Sequence, residues 1–188
     1  MAKKRITIHD KTFELTIPEA TILEAVRGVA DRIRADYEDK DPIFVVVLNG
    51  AFVFAADLLK MIDFPCSITF TKVASYAGTA SCGTISEQLP VTDIVSGRHV
   101  IIVEDIIEKG HTMDFLLRRI GALSPASVAV CVLSFKPEKV EVPGLEEKIR
   151  YVGMCLPEAF IVGYGLDYDQ RGRNLRDIYS LVGQDNEP

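Results

Sequence analysis

Tryptophan is absent from the 188-residue chain, histidine occurs three times and cysteine four times. Cys66, Cys82, Cys131 and Cys155 stand far apart, and His9, His99 and His111 are equally scattered. None of them falls at the short spacing of zinc ligands, which excludes a structural zinc site, and so few cysteines make no disulfide framework. Reduced, mostly buried thiols in a cytoplasmic protein are expected instead. A basic excess is also missing. Lys and Arg number 21 against 27 Asp and Glu, a net charge of -6 with a pI near 5.1. That excludes a broad basic face for nucleic acid and leaves room for a local anion site. Disorder is excluded by a hydrophobic content of 48%. The longest apolar stretch, Ile43 to Ile62, is broken by Asn49-Gly50 and carries Asp57 and Lys60. It reads as two buried elements joined by a tight turn, not as a membrane span. The basic start is followed by alternation from Ile6 to Lys11, so no apolar core of a secretory leader forms. Repeats and low-complexity segments are absent too.

What remains is an ordinary globular composition, long enough for one domain with its own core. Arg5–Ile8 and Thr12–Ile17 alternate around His9-Asp10-Lys11, which predicts a hairpin. Thr16 and Glu19 form a capping box with Pro18 in the first turn, and Ile22, Val26, Val29 and Ile33 recur at helical spacing. A helix is predicted from Pro18 to Tyr37. Ile43–Leu48, Ser67–Ala74, Val100–Val103 and Val128–Phe135 read as strands, with Thr84–Leu89 returning beside the second. Phe52–Met61 and Thr112–Ile120 read as helices. Ser75–Gly83, small and glycine-rich, reads as a mobile loop. Strands alternating with helices predict an α/β sandwich of three layers around a mainly parallel sheet. After Lys136 the pattern loosens around Pro137, Pro143, Gly144, Gly153 and Pro157. The reading is one domain, with a core over about 18–136 and a small irregular hood from about 1–17 and 137–188.

Chemistry concentrates in Val100–Met113, VIIVEDIIEKGHTM. Apolar residues make a strand, and Glu104 and Asp105 follow at its carboxyl end, where ligands bind in open α/β sheets. Glu108-Lys109-Gly110-His111-Thr112 then leads into a helix. A glycine-containing loop at a helix N-terminus offers free backbone N–H groups to a phosphate, and Thr112 adds a hydroxyl. Paired acids suit a polyhydroxylated sugar or a hydrated Mg²⁺. A phosphorylated ribose uses both halves together.

This stretch resembles the phosphoribosyl-diphosphate signature of the type I phosphoribosyltransferases, and the chain is most similar to the hypoxanthine-guanine branch. LNGAFVFAADLL (Leu48 to Leu59), Ser75-Tyr76, the signature itself and FIVGYGLDYDQRGR (Phe160 to Arg173) occur in the family's order. The resemblance implies purine salvage, in which a 6-oxopurine base is coupled to phosphoribosyl diphosphate with Mg²⁺ and pyrophosphate is released. It places Glu104 and Asp105 on the ribose hydroxyls, Asp105 also near N7 of the base, and Glu108 in the position of the proton acceptor. Residues Glu108, Lys109, Gly110, His111 and Thr112 wrap the 5′-phosphate. Lys136 donates to the purine O6, Phe160 stacks on the ring and the Ile161 backbone meets its 2-position edge. Asp167, with Glu104 and Asp105, serves the metal. Arg173 and the loop of Asn49 and Gly50, where the family often has a cis non-proline bond, hold pyrophosphate. Ser75 and Tyr76 belong to a lid. A homodimer or homotetramer is expected, with neither nucleic acid nor membrane as partner.

The chain departs from the family in four places. Glu108 stands where Asp is usual, Lys109 where a small hydroxyl residue is common, and Asn49 where Lys or Arg is frequent. Ala159 replaces a long polar side chain before Phe160. These bear on rate and base preference more than on reaction class, and either Glu108 or Asp105 can handle the N7 proton. Rival readings are a xanthine-preferring transferase, a nucleic-acid-binding regulator on the same fold and a nucleotide-binding domain without turnover. The acidic net charge counts against the regulator.

Overall fold

The computed structural model describes residues 4–75, 85–155 and 159–183. β1 (Arg5–Ile8) and β2 (Lys11–Ile17) form the expected hairpin, and α1 (Glu19–Tyr37) follows. Then come β3 (Ile43–Leu48), α2 (Phe52–Lys60), β4 (Ser67–Ser75), β5 (Ile85–Leu89), β6 (His99–Ile107), α3 (His111–Gly121) and β7 (Ser127–Phe135). β8 (Ile149–Cys155), β9 (Ile161–Val162) and β10 (Ile178–Leu181) complete the described chain. The main sheet has the order β5-β4-β3-β6-β7-β8, and only β5 runs antiparallel. β3 and the first halves of β6 and β7 are continuous apolar runs because both faces are covered there. Phe44, Val46, Ile101 and Val103 pack toward α1 and α2. Ile43, Val45, Val47, Val100 and Ile102 pack toward Met113, Leu116 and Ile120 of α3. This is the three-layer α/β arrangement read from the sequence.

β1, β2, β10 and β9 form a separate antiparallel sheet around Phe13, Val162 and Tyr179. The hood is therefore more regular than expected. Its predicted boundary also needs correction, because β8 belongs to the main sheet, paired in parallel with β7 from Val130↔Ile149 to Phe135↔Cys155. β6 is longer than read and carries Glu104 and Asp105 within the strand, since its pairing with β7 extends to Ile107↔Phe135. The predicted capping box does not form. Thr16 Oγ1 is 2.7 Å from Ser180 Oγ on β10 instead. Cys131 is buried, but Cys66 is half-buried and Cys155 exposed, so the described thiols are less buried than expected. Among the described residues, no helix is long and apolar enough to cross a membrane.

The cap on α1 comes from far along the chain. Asp177 accepts the Glu19 N–H at 3.0 Å, and also Lys4 Nζ at 3.2 Å and Tyr179 O–H at 3.1 Å. The Glu19 N–H bond, with help from Lys4 and Tyr179, holds the Asp177 carboxyl below its ordinary value. Asp177→Ala is expected to cost roughly 0.5–2 kcal/mol, as other lost N-terminal caps do. A carboxyl with a lowered pKa stabilises the fold above its ordinary value, and that stability fades as pH falls through the lowered one. The gap between wild type and variant in denaturant melts should therefore narrow in acid. A gap that widens in acid contradicts the capping role.

Candidate active site

Parallel pairing brings the carboxyl ends of β3, β6 and β7 to one edge of the sheet, and the predicted chemistry gathers there. β3 ends at Leu48, and the Leu48–Asn49 peptide is cis. Gly50 follows, packed so closely on β6 that a Cβ built there lies 1.5 Å from Asp105 Oδ2. Only glycine lets this backbone lie against the carboxylate.

Glu104 is 7% exposed and its Oε1 accepts the Asp105 N–H at 3.1 Å. Asp105 Oδ1 accepts the Ile106 N–H at 2.7 Å. Burial, followed by the charge of Asp105, pushes Glu104 well above the ordinary carboxylate range. Burial also raises Asp105, against the pull of its hydrogen bonds and of Arg173. A buried acid pair of this kind is incomplete by itself: sugar hydroxyls or a cation lower the cost of its charge. Arg173 belongs to the segment whose Gly165 backbone abuts the Gly50 carbonyl. It donates to the Gly165 carbonyl at 2.8 Å and pairs with Asp167 Oδ1 at 2.7 Å, while Asp167 Oδ2 accepts the Gln170 N–H at 2.8 Å. Among the described residues no three acids, histidines or cysteines cluster as a metal cage. One or two carboxylates are nevertheless what Mg²⁺ takes from a protein when substrate oxygens and water complete its octahedron, so either Asp167 or the Glu104–Asp105 pair fits it.

Beyond β6, Gly110 caps α3 with φ +88, a left-handed conformation that favours glycine, and a Cβ there would lie 2.3 Å from Leu145 Cδ2. Lys109 and His111 flank it, and Thr112 lies in the first turn of α3. Lys136 follows β7 directly. It is 2% exposed, its N–H donates to the Ile107 carbonyl at 3.1 Å, and its ammonium donates to Glu108 Oε1 at 2.6 Å and to the Ala159 carbonyl at 2.9 Å. A bland surface lysine is thereby excluded. Phe160 is half-exposed, with Tyr168 edge-on at 5.7 Å and Phe13 at 6.1 Å between ring centroids. Ile161 has its side chain in the core and its backbone in the pairing of β9 with β10.

One predicted pair is only half in view. Ser75 ends β4 opposite Ile85, and Tyr76 lies outside the described residues, as does the rest of the predicted loop. Two neighbours escaped sequence reasoning. The Ala159 carbonyl shares Lys136, and Glu141 pairs with both Lys109 and His111. A backbone acceptor leaves no trace in residue types, and Glu141 sits in a segment with no periodicity.

A phosphoribosyl transferase domain model matches residues 18–169. The chain belongs to the phosphoribosyltransferase family. Within it, the chain is 38% identical over 166 residues to a hypoxanthine-guanine phosphoribosyltransferase of Mycobacterium avium, covering 87% of this chain and 80% of that one. A hypoxanthine-guanine-xanthine phosphoribosyltransferase of Tritrichomonas foetus is 37% identical over 154 residues, with 82% and 83% covered. In three dimensions the chain matches a hypoxanthine-guanine phosphoribosyltransferase from Bacillus anthracis with a TM-score of 0.80 at 35% identity, covering 90% of this chain and 96% of that one. The cis bond, the acid pair and the glycine-capped loop thus stand in a phosphoribosyltransferase, and the chain is an enzyme of that class.

Proposed function

We propose that the enzyme transfers the phosphoribosyl group of phosphoribosyl diphosphate to hypoxanthine or guanine, giving IMP or GMP and releasing pyrophosphate. The observation that carries the base assignment is Lys136. Its ammonium has three N–H donors, and Glu108 and Ala159 take two of them. The third can meet a purine 6-oxo group while Phe160, next in chain to Ala159, offers a ring face for stacking.

The reaction is displacement at the ribose C1′, with an oxocarbenium-like transition state as in glycoside chemistry. Glu104 and Asp105 orient the ribose through its hydroxyls. The backbone from Lys109 to Thr112 holds the 5′-phosphate at the N-terminus of α3. Arg173 and the backbone at Asn49 and Gly50 receive the departing pyrophosphate. A carboxylate, Glu108 or Asp105, takes the N7 proton as N9 bonds to the sugar. Asp167 on one side, or Glu104 and Asp105 on the other, would hold a Mg²⁺ completed by substrate oxygens and water, and the ion would supply charge neutralisation on the diphosphate. Free thiols at Cys66, Cys131 and Cys155 support a cytoplasmic setting. Ile68 and Phe70, exposed on one face of β4, support assembly into dimers or tetramers.

The test is incubation with phosphoribosyl diphosphate, Mg²⁺ and each purine in turn. IMP and GMP are expected; xanthosine monophosphate as the main product favours the second reading, suggested by the Tritrichomonas relative, and no nucleotide at all overturns the first. Asp167→Asn replaces a carboxylate with a poorer ligand for a hard cation. It should raise the Mg²⁺ concentration for half-maximal rate by roughly tenfold, in the range of other weakened metal sites. An unchanged Mg²⁺ titration removes Asp167 from the metal.

A further inference from the structure

Lys109, one of the chain's departures from the family, and His111, which opens α3, turn to the same carboxylate. Glu141 Oε1 is 2.7 Å from Lys109 Nζ, and Glu141 Oε2 is 2.9 Å from His111 Nε2. We propose that Glu141 is a resident counter-anion of the phosphate loop, which a 5′-phosphate must displace from Lys109 and His111 in order to bind. The proposal rests on the assignment of that loop to the 5′-phosphate.

Three observations carry it. First, all three side chains are accessible, at 67% for Lys109, 56% for His111 and 49% for Glu141, so none is locked by packing. Exposed pairs of this kind are weak and yield to a competing anion of higher charge. Second, the loop does not depend on the carboxylate for its shape. The Glu141 N–H donates to the Lys109 carbonyl at 3.0 Å, and Leu145 packs against Gly110. Backbone and apolar contact persist when the carboxylate leaves. Third, Glu141 lines an open hollow of about 330 Å³ with Val142, Pro143, Gly144, Glu146 and Glu147, so a released carboxylate has room to move into solvent there. Hydrogen bonds from Lys109 and then His111 keep the Glu141 carboxyl below its usual range, so it is anionic when the phosphate arrives.

A carboxylate that competes for the same donors weakens phosphate binding, whereas a merely architectural one supports it. The two roles predict opposite signs. Calorimetric titration of ribose 5-phosphate at low salt into wild type, Glu141→Gln, Lys109→Met and the double variant separates them. Glu141→Gln should bind about threefold to tenfold tighter, the scale of one unit charge removed at a few ångströms in water. The gain should shrink when Lys109 is Met and fade near 1 M salt, where the Debye length is about 3 Å. Equal or weaker binding by Glu141→Gln overturns the proposal. If wild type binds ribose 5-phosphate but both Lys109→Met and Gly110→Val leave that binding unchanged, the assignment of the phosphate loop itself fails, and this inference with it.

Discussion

Glu108→Gln is expected to lower turnover by roughly 10²–10⁴-fold, the usual loss when a general base is removed, with little change in phosphoribosyl diphosphate binding. Glutamine is the informative substitution because of Lys136. The buried ammonium lies 2.6 Å from Glu108 Oε1, and truncating the partner of a buried charge is strongly destabilising on its own. An amide keeps an oxygen for Lys136 and removes only the basicity. Glu108→Asp keeps a carboxylate on a shorter arm and should retain activity within about tenfold, since a base of similar strength remains. The competing assignment gives the N7 proton to Asp105. In that case Glu108→Gln is nearly silent and Asp105→Asn is crippled. Steady-state kinetics on the two amide variants, with a binding titration alongside, decide between them; a Glu108→Gln enzyme at full speed ends the case for Glu108 as base.

Much of this site was legible because its chemistry is local. The strand, acid pair, glycine loop and helix of Val100–Met113 are contiguous, and each part has a residue-type signature. Lys136 comes from the family resemblance, and its place just after a buried strand puts it at the same sheet end as the acids, beside Glu108. Parts that depend on distant neighbours were not legible. β8 was missed because Gly153 and the flanking prolines mask its pairing signal. Gly153 lies where a Cβ would meet the Leu133 backbone oxygen at 2.8 Å, so a residue that reads as a breaker is a contact point between strands. The cap of α1 was assigned to Thr16 from spacing, but Asp177, 158 residues from Glu19, accepts the N–H instead. Glu141 belongs to the same class. Its partners are identifiable only once residues 137–148 are folded against the phosphate loop.

Gly50→Ala should be severely damaging for a single added methyl group. The added Cβ would lie 1.5 Å from Asp105 Oδ2 and 2.5 Å from Asp105 Cγ, far inside van der Waals contact. The loop cannot simply retreat. On its other side the Gly50 carbonyl oxygen lies 2.0 Å from where a Gly165 Cβ would stand, so the backbone of the 165 turn is already in contact. The backbone of Gly50 is therefore wedged between Asp105 and the segment that carries Asp167 and Arg173. Either Asp105 or the loop at Asn49 and Gly50 must move, and under the proposed roles a displacement of catalytic groups by about 1 Å costs on the order of 10²-fold in rate. The site of the damage is identifiable through stability. Gly50→Ala alone should lower the melting temperature, and Gly50→Ala with Asp105→Ala should recover part of that loss while remaining inactive, because the second change empties the space that the first one needs. Coupling between touching residues is about 0.5–3 kcal/mol, well within the reach of denaturant titration. Additive losses in the double variant, or a Gly50→Ala enzyme of near-normal rate, would show that this close approach does not hold Asp105 in place.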